Sequence, residues 1–210
     1  MSSIKKDDFM KQFTSALPIG LYDTIKDKVI GIAGAGGLGS NIAVALIRTG
    51  LTKIIIADFD RVELSNLNRQ YYFYSHVGEY KVDALKEQLE RINPFVEITT
   101  SKKFLDRTNF SEIFKDCDII VEAFDNAESK SEIIDHFISR EKTIFSGIGM
   151  AGIYSANIIK TKKLGKNLYL SGDFINEANS QNGLIASRVA VAANHEANMI
   201  IRFLSGETEV

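Results

Sequence analysis

Residues 29–70 read VIGIAGAGGLGSNIAVALIRTGLTKIIIADFDRVELSNLNRQ, and this stretch decides the fold. Its opening run, with Val29, Ile30 and Ile32, is apolar and β-branched, the pattern of a strand buried on both faces. Gly34, Gly36, Gly37 and Gly39, with Leu38 among them, lead into an amphipathic helix carrying Ile42, Ala45, Leu46 and Arg48. Gly50 ends that helix, and residues 54–57 form a second buried strand closing on Asp58. A strand, a glycine turn, a helix and a strand ending in an acid roughly 20 residues on make a nucleotide-binding βαβ unit. The glycines let backbone N–H groups and a helix N-terminus approach phosphate, where the helix dipole favours negative charge. The carboxylate at the end of the second strand suits a ribose hydroxyl.

Outward from this unit the pattern repeats. Val82, Leu85, Leu89 and Ile92 fall at helical spacing, Asn93-Pro94 ends that helix, and residues 96–100 read as a third strand. A short helix around Phe110 and Phe114, a strand over 117–121, a helix with Ile133 and Phe137, and a strand over 143–146 follow. Alternating strands and helices predict an α/β fold with a doubly wound, mainly parallel sheet. Beyond Met150 the alternation stops. An extended strand is expected over 153–159, a lysine-rich turn over 160–166, and an antiparallel return over 167–170. A polar loop over 171–182 and a terminal helix from about residue 184 to 204 complete the chain. At the other end, residues 3–17 pattern as a helix with Ser3 as cap and Pro18 as stop, and 19–27 as a linker.

The expected organisation is one domain over 1–210, with an N-terminal helix (1–18), a nucleotide-binding core (28–150) and C-terminal strands and helix (151–206). The 210 residues are 45% hydrophobic and 25% charged, enough apolar material for a sizeable core. A formal net charge of −2 gives no general attraction to nucleic acid or anionic membrane, so neither is expected as a partner. The single cysteine, Cys117, rules out an internal disulfide and a multi-cysteine zinc site, and no zinc is expected. No apolar run approaches a membrane span and no secretory core opens the chain, so a cytoplasmic protein is expected.

A glycine fingerprint alone also fits NAD dehydrogenases, flavoproteins and methyltransferases. Three further features narrow it. Ser65, Asn66, Arg69 and Gln70 place a hydroxyl, amides and a guanidinium within one short segment after the ribose-facing acid. Arg grips phosphate bidentately, and a triphosphate needs such a cluster where a dinucleotide pyrophosphate does not. Lys81, at the next helix start, reads as a mobile cation able to follow phosphate charge. Asp125-Asn126 closes the fourth strand, on the edge that faces the ligand crevice, where one carboxylate holds Mg²⁺ against phosphate oxygens. Together these predict an ATP site.

These motifs, with Asp58-Phe59-Asp60, Val62-Glu63 and Val77-Gly78, resemble the ThiF/MoeB/HesA family, relatives of the ubiquitin-activating enzymes. The resemblance runs from about residue 28 to 206 and is nearest the short, single-domain ThiF type, which is similar also at 165–169 and 172–174. It implies that Gly34, Gly36, Gly37, Gly39 and Asp58 hold the adenosine part of ATP, that Asn66, Arg69 and Lys81 contact phosphates, and that Asp125 binds Mg²⁺. Leu38, Asp60, Ser65, Gln70 and Asn126 complete the implied nucleotide set, and Arg69, Lys81 and Asp125 are its catalytic members. The implied reaction is adenylation of the C-terminal glycine carboxylate of a ubiquitin-like sulfur carrier ending in Gly-Gly, the ThiS type of thiamin thiazole synthesis. A homodimer is also implied, with the aromatic run 71–74 and the N-terminal helix as candidate interfaces.

The chain departs from many relatives in lacking their two Cys-x-x-Cys zinc pairs and a catalytic cysteine in the 171–182 region. Cys117, ahead of a buried strand, reads as an inert core thiol. Alternative readings are activation of another carboxylate (a peptide, a modified tRNA base or a MoaD-like carrier), an NAD-binding dehydrogenase, and a non-catalytic nucleotide-binding scaffold.

Overall fold

The computed structural model describes residues 4–210. Strand β1 (Val29–Ala33) leads through the glycine turn into helix α3 (Gly37–Arg48) and then strand β2 (Lys53–Ala57). Two helices precede them, α1 (Lys6–Phe13) and α2 (Leu21–Ile25). Helix α4 (Lys81–Ile92), β3 (Glu97–Ser101), α5 (Phe110–Ile113), β4 (Ile119–Glu122), α6 (Ala127–Ile138) and β5 (Thr143–Gly147) carry the alternation onward. The hairpin β6 (Lys160–Leu164) and β7 (Leu168–Gly172) and the long helix α7 (Ala186–Leu204) end it.

The seven strands form one sheet in the order β3-β2-β1-β4-β5-β7-β6. All neighbours pair in parallel except β6, which runs antiparallel to β7. The order reverses between β1 and β4, so a crevice opens at the carboxyl ends of these two strands. Both faces of the central strands are covered, which is why Ile30, Ile32, Ile119, Ile120 and Val121 form unbroken apolar runs. One face packs Ile42 and Leu46 of α3, Val82 and Leu85 of α4, and Ala193 and Ile200 of α7. The opposite face packs Phe110, Phe114, Ile133 and Phe137 against Ile120 and Ile144. On α7 the buried residues Ala192, Ala193 and Ala197 form a small-residue stripe, which lets α7 lie close against α3.

Several local expectations are corrected. Ser3, the expected cap, lies outside the described residues, and the helix there runs Lys6–Phe13. The 19–27 linker contains α2. Residues 153–159 are a loop ending in a one-turn 3-10 helix, Ala156–Ile158, and the lysine-rich segment expected as a turn is strand β6 itself. Arg188 decides the first point: its guanidinium donates to the carbonyls of Ala151 (3.1 Å), Tyr154 (2.6 Å) and Ser155 (2.9 Å), so these carbonyls serve a side chain instead of a ladder. That guanidinium also pairs with buried Asp173. The lysines enter the sheet because β7 supplies a pairing edge, and Gly165, at φ +63°, makes the tight turn between them.

Candidate nucleotide-binding site

The glycine turn is built by close approach. Gly34 has φ +101°, and a Cβ there would lie 2.7 Å from the Ala123 carbonyl oxygen on the β4 side of the crevice. A Cβ on Gly39 would fall 1.9 Å from the Gly34 carbonyl oxygen, so the first helical turn closes on the loop only without side chains. Helix α3 starts at Gly37 with no side chain capping it, leaving its first N–H groups directed into the crevice.

Asp58 follows β2 and is locked to this turn. Its Oδ2 accepts from the Ala35 N–H (2.7 Å) and its Oδ1 from the Asp60 N–H (2.8 Å). Burial pushes its carboxyl above the usual aspartate range, opposed by the Lys81 ammonium and these two backbone donors. Tyr72, a buried phenol that sequence reading left in an aromatic run, donates to the Ala35 carbonyl (2.7 Å) and braces the turn from behind.

Lys81 is not the mobile cation expected. It is 7% exposed, its Nζ pairs with Asp60 Oδ2 at 2.7 Å, and its backbone N–H donates to the Asp60 carbonyl at 2.9 Å. Tying it down at both ends places its charge beside Asp58 and Asp60.

The segment after Asp60 folds back over the glycine turn. Asn41 of α3 donates to the carbonyls of Gly37 (2.7 Å) and Arg69 (3.1 Å), and the Ser40 hydroxyl accepts from the Tyr71 N–H (3.0 Å). Arg69 therefore lies against α3's first turn, its Cγ 3.8 Å from where a Gly37 Cβ would stand. Its guanidinium is held by the Ser65 carbonyl (3.0 Å) and Asn68 Oδ1 (2.8 Å). Asn66 is buried and shapes the segment, its Oδ1 accepting from the Glu63 N–H at 3.1 Å, while the Ser65 hydroxyl donates to Glu63. Gln70 reaches toward Gly36, and its buried Oε1 has no hydrogen-bond partner. A buried acceptor left open beside a glycine turn and a helix N-terminus fits a bound polar ligand.

Across the switch point, β4 ends in Glu122 and the loop to Asp125. Asn126 caps α6, its Oδ1 accepting from the N–H groups of Glu128 (2.9 Å) and Ser129 (3.0 Å). That capping occupies Asn126 and leaves Asp125 exposed, with no hydrogen-bonding partner among the described residues. One open carboxylate on the loop after β4, at the switch point, is the kind of ligand Mg²⁺ takes from protein.

Sequence reading missed the network under this loop. Glu122, fully buried, accepts from the Phe124 N–H (2.7 Å), the Ser146 hydroxyl (2.6 Å) and the Lys130 ammonium. Lys130 also donates to Ser146 Oγ (3.3 Å) and the Gly147 carbonyl (3.1 Å), joining the ends of β4 and β5. The available signal was a carboxylate closing an otherwise apolar strand, with a lysine eight residues on, in the first turn of the next helix. The three histidines stay out of the site: His76 and His136 are buried and His195 is exposed on α7. Cys117 is buried, which pushes its thiol up to about 12, far from a reactive thiolate.

A glycine turn, an uncapped helix N-terminus and an acid closing the second strand, all at a sheet switch point, are the marks of a nucleotide-binding α/β fold. Residues 10–210 match the ThiF family model, and the chain belongs to the ThiF family. It is 32% identical over 131 residues to a tRNA threonylcarbamoyladenosine dehydratase of Bacillus subtilis, covering 61% of this chain and 52% of that protein. It is 36% identical over 119 residues to ubiquitin-like modifier-activating enzyme 5 of Caenorhabditis briggsae, covering 56% of this chain and 26% of that one. The chain thus spans about half of the first relative and a quarter of the second. Among solved structures, the fold matches the E. coli tRNA N6-threonylcarbamoyladenosine dehydratase in complex with ATP at TM-score 0.86 and 18% identity, covering 98% of both chains. It also matches E. coli MccB with ATP at TM-score 0.71 and 21% identity, covering 96% of this chain and 63% of that one.

Proposed function

We propose that this chain is an adenylyltransferase that uses ATP to activate a carboxylate. The observation that carries the reading is Arg69 packed on the first turn of α3, with Asp125 open across the switch point. In this reading the α3 amides and the Gln70 Nε2 group donate to phosphate, Asp58 takes the ribose, and Arg69 offsets charge that builds on the phosphates. Asp125 would hold Mg²⁺, which neutralises the leaving pyrophosphate when bound. The substrate carboxylate oxygen attacks the α-phosphorus, the bond to the bridging oxygen breaks, and pyrophosphate leaves with that electron pair. Positioning and charge neutralisation supply the catalysis, and no protein nucleophile is needed.

The substrate in this reading is the C-terminal carboxylate of a ubiquitin-like carrier ending in Gly-Gly, of the ThiS type. The test is carrier-dependent exchange of labelled pyrophosphate into ATP. Arg69→Ala and Asp125→Ala should each lower the exchange rate by about 10²-fold or more; undiminished exchange in both variants would sink the assignment. The likeness to tRNA threonylcarbamoyladenosine dehydratases favours a second reading, in which the carboxylate sits on a modified tRNA base. Exchange driven by that tRNA, and by no Gly-Gly carrier, would select it. The reading includes a homodimer, because Phe73 and Tyr74 of the aromatic run are 56% and 79% exposed, apolar surface suited to a second copy. Sedimentation at micromolar concentration should give twice the chain mass.

A further inference from the structure

Arg188 stands in the first turn of α7, where the helix dipole disfavours a cation, and it is 3% exposed. Its partners hold it there. Nε donates to the Ala151 carbonyl, Nη1 to the carbonyls of Tyr154 and Ser155, and Nη2 to the Asp173 carboxylate. Asp173 is equally buried, and it also accepts from the N–H groups of Ile175 and Asn176 (each 2.8 Å) and from the Asn176 side-chain amide (2.7 Å). One guanidinium therefore ties the loop after β5 (148–155) to the loop after β7 (173–185). The backbones meet as well: the Asp173 N–H donates to Gly149 (2.8 Å), the Ala151 N–H to Asn176 (3.1 Å) and the Gly152 N–H to Gly183 (2.7 Å).

Core packing gives no reason for this pair. A buried ion pair stabilises a fold no better than apolar side chains of similar volume. Nor do the two loops turn their own apolar side chains inward, since Ile153, Tyr154 and Ile175 are 86%, 53% and 77% exposed. What the pair does is fix the path of two loops that stay outside the core.

The place of these loops gives them a use. β5 and β7 run parallel to β1 and β4, so both loops leave the sheet on the edge that carries the glycine turn. Val189, next to Arg188, has its Cγ1 3.1 Å from where a Gly37 Cβ would stand, and Leu38 fills the space that a Gly147 Cβ would take. The tied loops thus flank the first turn of α3. They do so on the side away from Asp58, because β2 lies on one side of β1 and β4, β5 and β7 on the other. The nucleotide residues come from the glycine turn, the 58–81 segment and the β4–α6 loop, and none from these two loops. With the ribose at β2, this side is left for the carboxylate.

We propose that Arg188 is a positioning residue for adenylation, holding loops 148–155 and 173–185 as the wall that aligns the incoming carboxylate with the α-phosphorus. Its own role is indirect: it is buried, and four of the five N–H groups of a guanidinium are taken up by the loops. The inference rests on the adenylation reading.

Arg188→Met and Arg188→Lys test it in the full chain. Methionine keeps the apolar stem and loses every polar contact, whereas lysine keeps a charge for Asp173 and loses the fork that reaches the carbonyls. The probe is whichever supports pyrophosphate exchange in wild type, a ubiquitin-like protein ending in Gly-Gly or the modified tRNA. At saturating probe, kcat should fall about 10²-fold in Arg188→Met, the effect of a misplacement of about 1 Å, and about tenfold in Arg188→Lys. The Kd for ATP, measured without probe, should stay within about twofold of wild type. Hydrogen exchange reads the loops independently of activity: the amides of Ala151, Gly152, Ile175 and Asn176 should exchange faster in Arg188→Met, while those of α3 keep their protection. If Arg188→Met does not fold, Asp173→Asn takes its place beside Arg188→Lys. Unchanged kcat in both variants overturns the proposal. So does a parallel loss of ATP affinity and α3 protection, which would make Arg188 a support of the whole fold. A wild type inert with both probes removes the adenylation reading and this inference with it; an active wild type with indifferent variants removes the inference alone.

Discussion

Asp58 and Lys81 show how one charge tunes another beside the glycine turn. Burial pushes the Asp58 carboxyl up, and the Lys81 ammonium, fixed on Asp60, pulls it back. Lys81→Met removes that opposition, so Asp58 takes up its proton at a higher pH than in wild type. A protonated carboxyl is a poorer acceptor for a ribose hydroxyl, and on acidification ATP affinity should start to fall at a higher pH in the variant, by about tenfold per pH unit below the raised value. Affinity should recover as pH rises through the raised value. Titration of ATP binding against pH in wild type and variant checks this, and a loss that does not change with pH would show that Lys81 acts on phosphate instead. Residue types and order along 29–70 made Asp58 and the glycines legible. The pairing of Lys81 with Asp60 was not, because a salt bridge spanning 21 positions is set by how β2 and α4 pack.

At the scale of elements, the β4–α6 junction is held by the Glu122–Lys130–Ser146 network beneath Asp125. Lys130→Ala leaves Glu122 buried without its cation, and such broken buried pairs cost about 3–5 kcal/mol. Urea denaturation should show that loss. Lys130→Arg should restore most of the stability, since a guanidinium can meet both Glu122 and the Gly147 carbonyl. The cap on α6 is a smaller contribution: Asn126→Ala should cost about 1 kcal/mol in the same measurement. A loss above about 3 kcal/mol would mean that Asn126 supports more than the helix end. The strands and long helices of this half were readable because their apolar periods differ, continuous in buried strands and three-to-four in helices. The hairpin was misplaced because its pairing partner, and the hold of Arg188 on residues 151–155, outweigh the local preferences of 153–164.

For the molecule as a whole, Glu196 links stability to pH. It is fully buried on α7, neither carboxyl oxygen has a hydrogen-bond partner, and burial together with the charge of Glu122 pushes its carboxyl well above the usual glutamate range. A group whose pKa is raised on folding stabilises fully below its unfolded value and loses that contribution as pH rises through the folded one. Below pH 4.5, the ordinary glutamate value, wild type and Glu196→Gln should therefore show equal titration behaviour. Above it the wild-type urea midpoint should fall steadily relative to the variant until the raised folded-state value is passed. Parallel profiles over that whole range would show that Glu196 titrates normally. Taken alone, the sequence determined the doubly wound sheet, the glycine turn, the acid closing β2 and the family resemblance. All of these rest on short-range order: apolar period, glycine at a turn, an acid at a strand end. Only the tertiary structure decided that Lys81 is bound to Asp60, that Arg69 lies on α3, that Glu122 and Lys130 brace Asp125, and that Arg188 ties the loops after β5 and β7. Each of these depends on which distant elements meet, and burial then sets what a charge costs and which partner it must find.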